Sequence, residues 1–429
     1  MSLGVELDDR FRLSSAQAAE IAERFGTPCY VVDESHFRVR IRRYLAAFKS
    51  VYPDSQLTFA SKANSTLAVL KIAASEGCLI DVASEGELRA ALAAGIPASQ
   101  CHLHGNNKSL AELKFAGEQG VHGIVVDNFE EIETLATLGN LPELVLRLAP
   151  GVDPVTHAKI STGQADTKFG FNIADGSGER ALVRCLELKL PVVGFHCHVG
   201  SQLMGPEAQE SGGALLAEFA LRMQDKHGFK ASVINVGGGL GVRYTDSDKP
   251  ISVEDYCQRV VGSIKAALGE AGLSPTLLQE PGRSLIAESG VTLYRVGVKK
   301  SVPSANGQRH YLVVDGGLSD NPRPVMYGAR YTVLATDPKP GATQTFRISG
   351  KHCETDTLFD DIELPEATGP GDLVQVLTTG AYNSAMASNY NRFRRPSTIL
   401  VRSNGTFEQV QRPESWDEMF VRESVPSDL

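Results

Sequence analysis

Lys62, in the run FASKANS, is an amine at the end of an apolar segment that reads as a β-strand. At the mouth of a barrel it would be partly desolvated, which lowers an ammonium pKa and frees the amine to form a Schiff base. On an open surface the same side chain would only reach solvent. EPGR at 280–283 places a carboxylate, Glu280, and a guanidinium, Arg283, in one rigid turn. Glu280 could keep a pyridinium nitrogen protonated and Arg283 could grip an anion, or the two could pair with each other at the surface. The run VGGGLG, with Gly237, Gly238 and Gly239, is a turn without side chains. Its amides can close around a phosphate, or its glycines can serve only a tight corner. His196-Cys197-His198 ends another strand with two imidazoles on one face. Without a neighbouring Asp, Glu or Cys cluster no metal site is expected there, whereas a flat imidazole suits stacking on an aromatic ring. Asp81 and Ser201 also fall at strand ends, as polar ligands or as helix caps.

Further along, Cys353-Glu354 lies in KHCETDT, in a loop before an acidic stretch, where a small buried hydrophobic thiol is the usual case. Arg323 and Tyr327 (NPRPVMYG) and Tyr382 (TTGAYN) sit in Pro- and Gly-rich loops, the usual carriers of function.

The elements that must position these groups follow a βα rhythm between about residues 57 and 283. Candidate strands are 57–62, 79–84, 101–105, 123–128, 144–150, 192–201, 233–239 and 277–283, with Ala-, Leu- and Glu-rich helical stretches between them. That rhythm predicts an α/β fold with an N-terminal (β/α)8 barrel, whose chemistry belongs at the carboxyl ends of the strands. Beyond 290, short β-branched runs broken by Gly, Pro, Asn and Asp predict an antiparallel β domain. The expected division is 36–285 for the barrel, with 1–35 and 286–429 forming the β-rich domain. After Trp416 a frayed acidic tail is expected.

Lys plus Arg is 42 and Asp plus Glu 51 in 429 residues, a net charge of −9 with no dense basic block, so nucleic acid is not an expected partner. MSLGVELDDR lacks a basic start and an apolar core, and no transmembrane run is present in the sequence. Seven cysteines without a CxxC pair suggest neither a disulfide framework nor a thiolate zinc site, and a reduced cytoplasmic protein is expected.

Taken in order, FASKAN, IDVASEGEL, HGNNKS, RLAPGVDP with THAKISTG and KFGF, FHCHVGSQL, VINVGGGLG, EPGRSLIAE, VVDGGLSDNPRPVMYGA, HCETD and GDLVQVLTTGAYN span nearly the whole chain. Together they resemble the barrel-type, alanine-racemase-like pyridoxal-phosphate amino acid decarboxylases, and among them the diaminopimelate decarboxylases. The resemblance implies pyridoxal 5'-phosphate as cofactor, an amino acid substrate, and a homodimer with shared active sites. It implies that Lys62 binds the cofactor covalently, that His198 stacks on it, and that Glu280 partners its ring nitrogen, with Asp81 near the lysine. Ser201, Gly237, Gly238, Gly239 and Arg283 match the phosphate region, Arg283 also lying close to substrate. Tyr382 matches a tyrosine reaching the cofactor, and Arg323 and Tyr327 match residues holding a substrate carboxylate. Cys353 and Glu354 match a proton donor and a substrate ligand supplied across the dimer interface.

The reaction so implied is decarboxylation of meso-2,6-diaminopimelate to L-lysine, the last step of lysine synthesis. Its distal amino-carboxyl centre calls for a cation and an anion, which Arg323 and Glu354 supply. A relative acting on ornithine, arginine or a carrier-bound amino acid, a catalytically silent relative that binds a protein, and a cofactor-free Schiff-base aldolase are the alternatives. Two places depart from the family: Lys351-His352 replaces the usual Gly-Pro lead-in, with Asp356 three residues after Cys353 and Thr357 where an aspartate is usual, and Cys197 stands between the histidines where a hydrophobic residue is usual.

Overall fold

The computed structural model describes residues 10–152, 167–269, 272–305, 307–355 and 357–429; Asp356 and the THAKISTG run lie outside them. The chain divides into two compact units, Arg38–Val242 with Asp248–Leu285, and Met1–Phe37 with Arg243–Ser247 and Ile286–Leu429.

In the first unit, eight parallel strands close into a ring among the described residues: Ser55–Ala60, Leu79–Val82, Cys101–Leu103, Gly123–Val126, Glu143–Ala149, Val192–His196, Val233–Asn235 and Thr276–Gln279. The eighth closes on the first, with Leu277 opposite Ser55. These strands are short apolar runs buried on both sides, as a barrel wrapped in helices requires. Ser84 accepts the amide of Glu87 and starts helix Glu85–Ala93, while Ser109 and Glu112 form a reciprocal capping box at helix Leu110–Gln119. The latter helix stops at Gly120, whose φ of 71° is the left-handed conformation glycine adopts freely.

The strands are shorter than the sequence pattern suggests. Lys62, Ser201, the three glycines, Glu280 and Arg283 all lie beyond the strand ends, in the segments that turn toward the next helix.

Among the described residues, the second unit is built on one nine-stranded sheet. Strand Cys29–Asp33 lies between Gly290–Ser304, antiparallel to it, and Ser397–Val401, parallel to it. Strands Gly307–Val314 and Thr343–Ser349 are also parallel. The expected antiparallel domain is therefore mixed. A parallel pair needs a long crossover, and the connection through 315–342 provides one, while Cys29–Asp33 comes from the far end of the chain and is bound by no hairpin. Its face buries Val31, Leu293 and Ile399 against Ala18 and Ile21 of helix Ser15–Phe25.

Arg243–Ser247 joins this sheet unit although the sequence pattern gives it to the barrel. Arg10 donates to the carbonyl of Tyr244 and to Asp246 Oδ1, and the Thr332 amide donates to the Tyr244 carbonyl. Beyond the expected frayed point, Trp416–Phe420 is a helix capped by a Ser415/Glu418 box. No helix among the described residues is long and apolar enough to cross a membrane.

Candidate active site

Lys62 sits in the single 3-10 turn Ser61–Ala63 that follows the first barrel strand, with Ser61 and Ala63 buried on either side. Glu87 ties this turn to the next one, accepting from Ser61 Oγ at 2.6 Å and from the Ala83 amide at 2.7 Å. Of the two positions open to Lys62 on sequence, the structure shows the solvent-reaching one: its side chain is exposed. Packing fixes the residues beside it and leaves the amine at the strand's carboxyl end.

Glu280 is the buried centre of the barrel mouth. His196 Nε2 lies 3.1 Å from its Oε2, Asn235 Nδ2 donates to Oε1 at 2.6 Å, and His104 Nε2 lies 3.1 Å from Oε1. Burial alone would raise this carboxyl, but His104 and His196 outweigh burial and hold it well below the ordinary carboxylate range. An ionised carboxylate only accepts, so the facing imidazole nitrogens carry hydrogens. Burial pushes His196 down to about 4, leaving it neutral. Burial acts the same way on His104, but Asp81 and Glu280 overcome it and raise this imidazole above its ordinary value. Asp81 Oδ1 stands 3.5 Å from His104 Nε2, and burial, opposed by His104, raises the Asp81 carboxyl to about 6. Asp81 belongs to strand Leu79–Val82 and caps no helix; Ser84 does that.

His198 follows the sixth strand, and its Nδ1 accepts the amide of Gly238 at 3.3 Å. Burial holds its pKa well below the ordinary value, so the ring is neutral. The amide of Gly237 goes to Asn235 Oδ1 at 2.9 Å. Two amides expected to face a phosphate thus donate instead to Asn235 and His198 beside the loop. The reason for glycine is close approach: a Cβ at 238 would lie 2.3 Å from the Glu280 carbonyl, and one at 239 would lie 2.6 Å from that of Gly200.

Arg283 does not turn to Glu280. It is buried at the start of helix Arg283–Ile286 and donates to Ser201 Oγ through Nε at 3.3 Å and through its second terminal nitrogen at 3.2 Å. Cys197 is buried, with Gly212 of helix Glu207–His227 beneath it.

In the sheet unit, Arg323 is buried at the start of helix Arg323–Tyr327 and donates to the Tyr331 hydroxyl at 2.6 Å. Its guanidinium lies over the ring of Tyr244 at 4.9 Å, with Tyr331 at 5.8 Å and Tyr327 at 6.0 Å. Tyr382 is half-buried with φ of 58°, a conformation that a bulky side chain adopts at a cost and that is concentrated at functional loops. Six cysteines are buried and Cys353 is exposed, so it is not a core thiol. Its amide donates to Asn391 Oδ1 at 3.1 Å, and the Tyr390 hydroxyl donates to the Glu354 carboxylate.

Sequence reasoning missed His104, Asn235, Arg147, Tyr244 and Tyr331. The only signal for the first was its place in CHLHGNN at a strand's end. Arg147, from the fifth strand, stacks over Phe169 at 4.3 Å and stands 3.7 Å from Asp127. His104, His196 and Glu280 offer ligand atoms within 4.8 Å of one another, and their 3.1 Å nitrogen-to-oxygen separations are those of hydrogen bonds.

Residues 38–287 match the family described as pyridoxal-dependent decarboxylase, pyridoxal binding domain. The diaminopimelate decarboxylase of Bacillus subtilis (strain 168) is 41% identical to this chain, over 95% of it and 93% of the relative. The chain belongs to the diaminopimelate decarboxylase family of pyridoxal-dependent decarboxylases. The crystal structure of the M. jannaschii diaminopimelate decarboxylase is similar with a TM-score of 0.90, at 31% identity and over 98% of both chains; a second structure of that protein is in co-complex with L-lysine. The Helicobacter pylori enzyme, complexed with L-lysine, is similar with a TM-score of 0.84 at 30% identity, over 94% of this chain and 98% of that one.

The barrel mouth fits a pyridoxal group. A carboxylate offers about four lone-pair sites; His196 and Asn235 hydrogen-bond to Glu280 and His104 stands 3.1 Å from it as an ion-pair partner, so an acceptor site is left for a ring N–H. His198 presents a flat neutral ring, and the glycine loop keeps backbone where side chains would collide.

Proposed function

We propose that this protein removes CO2 from meso-2,6-diaminopimelate to give L-lysine, with pyridoxal 5'-phosphate held at the barrel mouth. The observation that carries the chemistry is the buried Glu280 carboxylate, kept ionised by His104 and His196. Pyridoxal phosphate, when bound, supplies a sink for the electron pair left at Cα as CO2 departs. Glu280 holds a proton on the ring nitrogen, which that sink requires. Lys62 would hold the cofactor covalently, and its charge acts on Asp81, opposing the rise that burial gives that carboxyl. His198 would offer its neutral face to the ring, while Ser201, Arg283 and Tyr382 would hold the phosphate end beside the loop of Gly237, Gly238 and Gly239, where the Gly237 and Gly238 amides already bond to Asn235 and His198. Cys353 delivers the proton to Cα after the Cα–carboxyl bond breaks.

The substrate's distal carboxylate is assigned to Arg323 and Tyr327, with Arg283 also near the substrate, and its distal ammonium to Glu354. A diamine-forming substrate such as ornithine would leave the buried Arg323 without its anion, at the cost of an unpaired charge. The L-lysine found with two relatives agrees with this assignment.

We further propose a homodimer in the cytoplasm, in which Cys353 and Glu354 of the partner subunit serve each barrel mouth; the exposure of Cys353 supports this. Co-expressing Lys62→Ala with Cys353→Ala tests it. Each variant alone is expected to be inactive, and the mixed preparation is expected to recover activity, because one site of a mixed dimer keeps both native groups. A mixed preparation as inactive as its parents contradicts the shared site.

A further inference from the structure

The segment Lys351 to Glu354, in which Lys351-His352 departs from the family pattern and Cys353-Glu354 keeps it, is held by one short stretch of chain, Tyr390–Phe393. The ring of His352 stacks on Tyr390 with centroids 5.8 Å apart and planes 9° apart, and it meets Phe393 edge-on at 4.8 Å. Gly317 makes room for this imidazole, since a Cβ there would lie 2.1 Å from His352 Nδ1. The Lys351 ammonium lies 4.5 Å from the centre of the Phe393 ring, and its amide is fixed to the Gly316 carbonyl at 3.0 Å. Asn391 and Arg392 have φ of 53° and 58°, so the clamping stretch is a tight turn of left-handed residues. Out of this turn come the two contacts already described, from Tyr390 to the Glu354 carboxylate and from Asn391 to the Cys353 amide.

We propose that Tyr390 and Asn391 are positioning residues that set where Glu354 and Cys353 stand, with the His352 stack as their footing. The proposal rests on the assignment of Glu354 to the substrate's distal ammonium. A carboxylate on a free side chain samples many rotamers, and ordering it at the moment of binding costs affinity. The Tyr390 hydroxyl fixes one oxygen beforehand and leaves lone pairs for the ammonium. Asn391 acts on the backbone of Cys353, so its influence falls on proton delivery rather than on substrate binding.

Tyr390→Phe keeps the ring that stacks on His352 and removes only the hydroxyl. It is expected to raise KM for meso-diaminopimelate about ten-fold, the worth of one hydrogen bond to a charged group, with kcat within about two-fold. 2-Aminoheptanedioate has both carboxylates but no distal ammonium, so its inhibition constant is expected to be unchanged by the variant. Asn391→Ala is expected to do the converse, lowering kcat about five-fold with little change in KM. A Tyr390→Phe protein with wild-type KM overturns the inference, as does a loss of kcat and melting temperature at unchanged KM, which would mark a merely structural role. A wild-type protein that does not act on diaminopimelate at all refutes the functional reading instead, so the two failures are distinguishable.

Discussion

Replacing Lys62 by alanine is expected to lower CO2 release from diaminopimelate by more than ~10³-fold, on the scale of losing a nucleophile in other covalent enzymes. The visible absorbance of covalently held cofactor is expected to disappear with it. The reason is positional: the barrel turn carries this amine at its mouth, between Ser61 and Ala63, whose burial holds the turn. Because the side chain itself is exposed, stability is expected to change by no more than ~0.5 kcal/mol. Circular dichroism and a melting curve of the variant separate the two effects. Activity within ten-fold of wild type in a folded variant contradicts the role of Lys62.

Glu280→Gln is expected to lower kcat about 10² to 10³-fold, the range seen when one preorganised electrostatic partner is removed from a reaction centre. The amide preserves shape but not charge, and its NH2 group would confront the donors of His104, His196 and Asn235. Leaving those buried donors short of an acceptor is also expected to cost about 1–3 kcal/mol of stability. The pH dependence should change in a defined direction. His104 is raised in the folded protein, so its contribution to stability is complete below the ordinary histidine value of 6.5 and is lost as pH rises through the higher folded value. With one of its two carboxylates gone, His104 moves back toward that ordinary value, and the alkaline decline in melting temperature should shrink. A Gln variant with kcat within two-fold of wild type would show that the Glu280 charge has no part in the reaction.

The barrel was legible because its signals are local. Apolar runs of strand length, Ser84 and Ser109 at helix starts, and Gly120 at a helix end each carry their reason within a few residues. Lys62, Glu280 and Arg283 were legible because a barrel puts its chemistry where strands end. What was not legible depends on groups far apart in the chain. His104 and Asn235 matter because they face Glu280, and Tyr244 matters because it lies under Arg323; no local pattern announces either meeting. The parallel neighbours of Cys29–Asp33 and of Gly307–Val314 escaped for the same reason, since alternation along a strand says which face is buried but not which way its neighbour runs. Which of its two possible environments Lys62 takes is set by the three-residue turn Ser61–Ala63 beyond the strand, which the strand pattern does not show.

The most direct test of the account is CO2 release by the cofactor-loaded protein, measured on meso-diaminopimelate, ornithine, arginine and lysine side by side, with lysine quantified as product. The account predicts release from diaminopimelate alone, with one lysine formed per CO2 and none from the Lys62→Ala protein. Release only from another of these amino acids would overturn the assignment of Arg323 and Glu354 to a distal amino-carboxyl centre, and no release from any of them would contradict the decarboxylase reading itself.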